Sequence, residues 1–212
     1  MSASQEIFES VKELRSVKPV VASMGTVAAS GGYYIAAPAN KIVANPGTIT
    51  GSIGVRMELL NVEDLLQWAR LKTTTLKSGR LKDVGSSTRP MTDEEREYLE
   101  SILREMHMQF KKAVAESRGL SLEDVEKVAD GRVLTGEQAL TVKLIDELGS
   151  LEKATKVAAE LGGIKGDPDI FYPSLEDRNL VDYLIEGTVD RLFSRVSHVF
   201  LSPLHLNYKG FP

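Results

Sequence analysis

Gly25-Thr26-Val27-Ala28-Ala29-Ser30-Gly31-Gly32-Tyr33-Tyr34 is the stretch whose reading decides the fold. The apolar run Val20 to Met24 precedes it and the small residues Ile35-Ala36-Ala37 follow, so the pattern predicts a strand, a glycine-rich bend and a helix. Such a bend presents Ser30 at a sharp corner. Gly31 and Gly32 carry no Cβ, which lets the backbone turn tightly and a substrate carbonyl approach. The N–H groups of the first helical turn then face any negative charge that develops there. Serine before glycine at a helix start is also the ordinary signature of an N-cap, so the stretch alone supports two readings of Ser30.

The flanking sequence alternates strand and helix signals. Upstream, Ile7, Phe8, Val11 and Leu14 share one face of a surface helix that Pro19 ends. Downstream, Lys41 to Ala44 reads as a second strand between two turns, and Thr48 to Val55 as a β-rich segment bent by two glycines. A helix over 62–70 has Asn61 as its cap and Val62, Leu65, Leu66 and Trp68 as its apolar positions. The threonines of Lys72–Lys77 suggest a strand, and the polar run Ser78 to Ser87 a long loop of the kind that often carries function. Thr92 and Glu95 have capping-box spacing and open the longest helix, to about Arg118. Shorter helices follow Ser121, Thr135 and Ser150, and Asp130-Gly131-Arg132 reads as a turn. Asp169 to Tyr172 suggests a late strand, 175–199 an amphipathic helix, and Phe200 to Pro212 an apolar tail suited to docking, to another protomer or to a membrane interface.

Composition excludes several classes of function. The 212 residues are 42% hydrophobic and 26% charged, ordinary for a globular chain, and the formal net charge of −4 offers no basic field for nucleic acid. Without cysteine there are no disulfides, thiolate metal sites or cysteine nucleophiles. No run reaches the roughly 18 apolar residues of a membrane-spanning helix.

A serine nucleophile needs a base, because its hydroxyl is protonated at neutral pH. His107 falls in the middle of the long helix, and His198 and His205 in the C-terminal tail, none in a motif-like setting, so packed or exposed histidines are the expectation. A lysine is the alternative base. Lys82 in the long polar loop is the best placed, although a loop lysine beside Arg80 and Asp83 is ordinarily a solvated charge.

At these residues the chain resembles a known family. Ala28-Ala-Ser-Gly-Gly-Tyr-Tyr-Ile-Ala36, Gly47-Thr-Ile-Thr-Gly-Ser-Ile-Gly-Val55 and Lys77-Ser-Gly-Arg-Leu-Lys-Asp83 are similar, in order and spacing, to the signal peptide peptidase A type of serine protease. Ala129 to Val133 and Leu144 to Gly149 fit its later part, so the likeness covers about residues 4–160. It implies an α/β, Clp protease/crotonase-like fold of repeated ββα units over 1–160, with a C-terminal helical extension over 161–212. It also implies Ser30 as nucleophile, Lys82 as general base, Ser52 as the hydroxyl that orients the lysine, and the Gly31 N–H as an oxyanion donor. No cofactor or metal is implied.

Family members cut signal or other hydrophobic peptides on the extracytoplasmic side of a membrane. They assemble into ring-like or dome-like homo-oligomers, and in short bacterial forms neighbouring protomers supply the serine and the lysine. By the same likeness, a membrane anchor, a strand and a Pro-Gly-Gly loop with the second oxyanion donor are expected ahead of Met1. Two other readings stand beside this one: a non-catalytic assembly module of the same family, and a crotonase-like acyl-CoA enzyme. The absence of a glutamate from the pocket segments argues against the second of these.

Overall fold

The computed structural model describes residues 2–172. In chain order the elements are α1 (Ser2–Val17), β1 (Val21–Met24), β2 (Val27–Ala29), α2 (Gly31–Ala36), β3 (Lys41–Ala44), β4 (Ile49–Gly51), α3 (Glu63–Trp68), α4 (Asp93–Arg118), α5 (Leu122–Glu126), β5 (Val133–Thr135), α6 (Gly136–Thr141), β6 (Glu147–Leu148) and α7 (Leu151–Leu161). The compact unit that holds them ends at Pro168, and Asp169–Pro212 form a second unit.

Strand pairs alternate between two sheets. In β1-β2-α2 and again in β3-β4-α3, the first strand enters a sheet of order β1-β3-β6 and the second a sheet of order β2-β4-β5. The chain is thus an α/β fold with two consecutive ββα units. The first sheet is parallel, with Val21 opposite Lys41 and Val43 opposite Glu147. In the second, β2 and β4 run parallel with Ala29 opposite Gly51, while β5 returns antiparallel with Val133 opposite Gly51.

The apolar positions of the outer helices account for the core. Phe8 of α1, Tyr34 of α2 and Phe110 of α4 are all buried and stack in sequence, with ring centroids 5.0 and 4.8 Å apart. Tilted contacts of this kind contribute about 0.5–1.5 kcal/mol beyond their buried area. Two buried threonines close the backbone around the opening stretch: Thr48 Oγ1 donates to the Gly25 carbonyl and Thr50 Oγ1 to that of Ala28, each at 2.7 Å. Tyr33 has no exposed surface, and its hydroxyl donates to the Leu144 carbonyl at 2.8 Å.

Several local expectations are met. The capping boxes at Thr92/Glu95 and Thr135/Gln138 both form, and the Asn61 side chain accepts from the Glu63 N–H. Three others are not. Lys72–Lys77 forms no strand: Leu71 and Leu76 are exposed, and among the described residues no ladder pairs with the segment. The apolar positions of α3 do not bury either, and Trp68 is 83% exposed. Asp169–Tyr172 is exposed and carries no strand. The expected helix at 175–199, the tail after it, His198 and His205 lie outside the described residues. No helix among the described residues is long and apolar enough to cross a membrane.

Candidate active site

Ser30 sits between β2 and α2 with φ 52° and ψ −117°. Positive φ is uncommon for any residue with a Cβ, and holding one there costs about 1–3 kcal/mol that the surrounding structure must offset. Two backbone bonds hold it: the Ser30 N–H donates to the Gly51 carbonyl at 2.8 Å, and the Tyr34 N–H donates to the Ser30 carbonyl at 2.9 Å. Ser30 occupies the N-cap position of α2, yet its side chain makes no capping hydrogen bond. The capping reading therefore fails for the side chain of Ser30, an exposed residue.

Gly31 opens α2. The first N–H groups of a helix have no intrahelical acceptor, and with the Ser30 hydroxyl turned away they stay available to a ligand. A Cβ at Gly31 would lie 2.8 Å from Ser4 Oγ of α1, so a larger residue there requires the Ser4 side chain to move.

Ser52 is the counterpart of Ser30 on the neighbouring strand. It follows β4 directly, also has positive φ, at 51°, and donates its N–H to the Arg132 carbonyl at 2.8 Å. The turn that provides this carbonyl is tied down by Asp130, whose carboxylate accepts from both the backbone and the guanidinium of Arg132. Those bonds hold the Asp130 carboxyl well below the usual carboxylate range, at about 2. Gly54 packs on the same turn, so that a Cβ there would be 3.0 Å from Gly131 Cα.

Ser30, Gly31, Ser52 and Gly54 share one cleft of about 730 Å³, a size suited to a short peptide segment or small ligand. Tyr34, Met106 and Phe110 give it an apolar wall, and His107, Asp130 and Gly131 complete that side. Sequence reasoning missed this wall. Met106 and Phe110 registered only as the apolar face of a long helix, and His107 as a packed histidine. The signal for Asp130 and Gly131 was the Asp130-Gly131-Arg132 turn, to which the sequence attached no role. Buried His107 Nε2 has no hydrogen-bond partner among the described residues.

Lys82 does not line this cleft. It lies in consecutive turns after Gly79, exposed, with its N–H donating to the Gly79 carbonyl at 3.1 Å. Within one chain the structure therefore brings together Ser30, Gly31 and Ser52 but does not add Lys82. The turn bearing Lys82 is nonetheless anchored. Arg89 donates to the Asp83 carboxylate and, through both terminal nitrogens, to Glu95 at the start of α4.

Over most of its length the chain is similar to proteins named as proteases. The chain is 43% identical over 175 residues to a protein of Methanocaldococcus jannaschii named as a protease, a match that covers 82% of this chain and 56% of that one. It is 38% identical over 163 residues to the chloroplastic serine protease SPPA of Arabidopsis thaliana, covering 76% of this chain and 24% of the relative. The chain thus spans little more than half the length of the first of these relatives and about a quarter of the second. A solved membrane-bound stomatin-specific protease in complex with a substrate peptide aligns with 20% identity and a TM-score of 0.49, over 88% of this chain and 78% of that one. The model of peptidase family S49 matches residues 12–165. With most of its length inside that match, the chain belongs to peptidase family S49.

Proposed function

We propose that the chain is a serine endopeptidase that hydrolyses hydrophobic peptides, signal peptides among them, through an acyl-enzyme with a Ser-Lys dyad. The observation that carries this reading is the strained, uncapped Ser30 at the mouth of a partly apolar cleft. Ser30 Oγ attacks the scissile carbonyl while Lys82 Nζ takes its proton. The Gly31 N–H stabilises the oxyanion, and loss of one such donor typically costs about 2.7–4 kcal/mol in the transition state. Lys82 then returns the proton to the leaving amine, and water hydrolyses the ester with the same amine as base. Ser52 orients the lysine through its hydroxyl.

Because Lys82 lies outside the cleft of its own chain, the base in this scheme comes from a neighbouring copy, as it does in short bacterial members of the family that the sequence resembles. The working form is then a homo-oligomer, placed by the same likeness at a membrane with its site facing away from the cytoplasm. Purified protein should cleave a hydrophobic peptide ester, and Ser30→Ala and Lys82→Ala should each abolish this. Mixing the two inactive variants should restore activity, since one intact serine can meet one intact lysine. Full activity in either variant would overturn the dyad, and a mixture that stays inactive would overturn the sharing. His107, a second base in the cleft, gives the competing reading: by the lysine scheme a His107→Gln variant keeps its activity.

A further inference from the structure

A lysine that works as a base must act as the neutral amine, and an adjacent carboxylate opposes this by favouring the charged form. Asp83, the residue after Lys82, is the obvious such partner. Yet no ion pair joins Lys82 to any carboxylate among the described residues, whereas the Asp83 carboxylate is held from two sides. Lys77 Nζ approaches one oxygen at 2.5 Å, and Arg89 Nε approaches the other at 3.1 Å. A terminal nitrogen of Arg89 also donates to the Asp83 backbone carbonyl at 3.2 Å, which fixes the chain as well as the side chain. These contacts hold the Asp83 carboxyl below the usual range, the hydrogen bond from Lys77 contributing most.

Arg89 is itself pinned. Its other edge meets Glu95, which is buried and also accepts from the Thr92 N–H in the capping box of α4. The remaining charges on the neighbouring elements make no ion pair with Lys82 either, among the described residues. Arg80 of the loop pairs with Glu94 of α4 at 2.5 Å, Glu63 of α3 accepts from Gln67, and Asp64 and Asp93 are exposed. Asp83 in the loop and Glu94 and Glu95 in the first turn of α4 have cationic partners, none of them Lys82, and Asp93 of that turn makes no ion pair among the described residues.

We infer that Arg89 and Lys77 clamp the Asp83 carboxylate and hold it off Lys82, which makes Arg89 a positioning residue that keeps the proposed base free of a counter-ion. This rests on the proposed role of Lys82, but the device can be read from the amine itself without turnover. Competitive labelling with acetic anhydride across pH, followed by mass spectrometry of the Lys82 peptide, gives the midpoint at which the amine becomes reactive. In the full chain, Arg89→Met should raise that midpoint by about three-quarters of a pH unit, so that acetylation below it falls roughly fivefold, the effect expected of a carboxylate brought to about 4 Å in water.

Removing the Arg89 charge would itself raise the midpoint somewhat, so the decisive comparison is the double-mutant cycle with Asp83→Asn. The shift caused by Arg89→Met should shrink markedly once Asp83 is asparagine. An unshifted midpoint in Arg89→Met, or a shift that persists in full in the Asp83→Asn background, would overturn the clamp. If circular dichroism shows that Arg89→Met does not fold, the same cycle with Lys77→Met, at a more exposed position, decides the matter. Retained peptidase activity in Lys82→Ala would instead remove the catalytic role and leave the labelling result standing, so the two failures are distinguishable.

Discussion

Tyr33→Phe removes a single hydroxyl from the helix that begins at the proposed nucleophile, and its cost follows from the structure. Tyr33 is fully buried, and its hydroxyl donates to the Leu144 carbonyl across 111 residues of sequence, joining α2 to the segment before β6. Burial pushes the phenol well above its usual range, so the hydroxyl remains a donor throughout the neutral and mildly alkaline region. Phenylalanine fills the same volume apart from one oxygen, so no sizeable cavity is left. Two effects remain: the lost neutral hydrogen bond, about 1 kcal/mol net, and a stranded buried carbonyl, about 1–3 kcal/mol. They describe the same event from its two ends, so the expected loss is about 1–3 kcal/mol rather than their sum.

For a domain of this size that loss corresponds to a fall in Tm of about 2–12 °C. Urea unfolding at neutral pH should show the midpoint lowered with the slope unchanged, since the exposed area on unfolding is the same. Tyr34→Phe is the matched control. Tyr34 is also buried, but its hydroxyl has no protein partner among the described residues, and its replacement should stay within about 0.5 kcal/mol. A Tyr33→Phe variant as stable as the wild type would refute the reasoning, because it would mean that another group satisfies the Leu144 carbonyl.

Two further predictions concern charge and close approach. Arg89 first, and the Thr92 N–H after it, draw the Glu95 carboxyl down to about 2 from an ordinary 4.5, so its contribution to stability is complete above about pH 4.5 and is lost as pH falls toward 2. The gap in urea midpoint between wild type and Glu95→Gln should therefore narrow steadily over that window, and a gap that stays constant would contradict the assignment. Gly54→Ala would bring a Cβ to 3.0 Å from the Gly131 backbone, where no side chain can move aside. It should cost about 1–3 kcal/mol by urea titration, while Gly25→Ala, with nothing within 4 Å, should be near neutral.

The parts of the fold that rest on local chemistry were legible in the sequence. Both capping boxes, the helix boundaries set by Pro19 and Gly119, and the strand-bend-helix order around Ser30 follow from side chains acting on their own neighbourhood. Strands β5 and β6 were not legible, because segments of three and two residues carry too little alternation to register and are defined by the partners they find. The reverse error occurred at Lys72–Lys77, where threonine-rich composition suggested a strand but pairing was absent. β-propensity describes a fit to a half-buried surface, and this segment has none among the described residues.

At the site, glycine spacing pointed to the bend, and the family likeness pointed to Ser52 and Lys82. The cleft wall on α4 was hidden because residues that line a pocket and residues that fill a core share one helical period. Lys82 was legible as a residue but not as a position, since nothing in the polar loop's own sequence says that it stands outside the cleft of its own chain.

The backbone bonds at Ser30 and Ser52 also bear on the order in which the site can assemble. Gly51 must be in place to accept from Ser30, and Arg132, beside β5, to accept from Ser52. The bend written in ten consecutive residues is therefore completed by a segment about a hundred residues further along, and contacts of such separation form only after the intervening chain has closed its loop. A nascent chain that has released α1 to α3 but not β5 would have Gly51 to accept from Ser30 but not the Arg132 carbonyl that accepts from Ser52. The two corners of the candidate site would then be set at different times, Ser30 before Ser52.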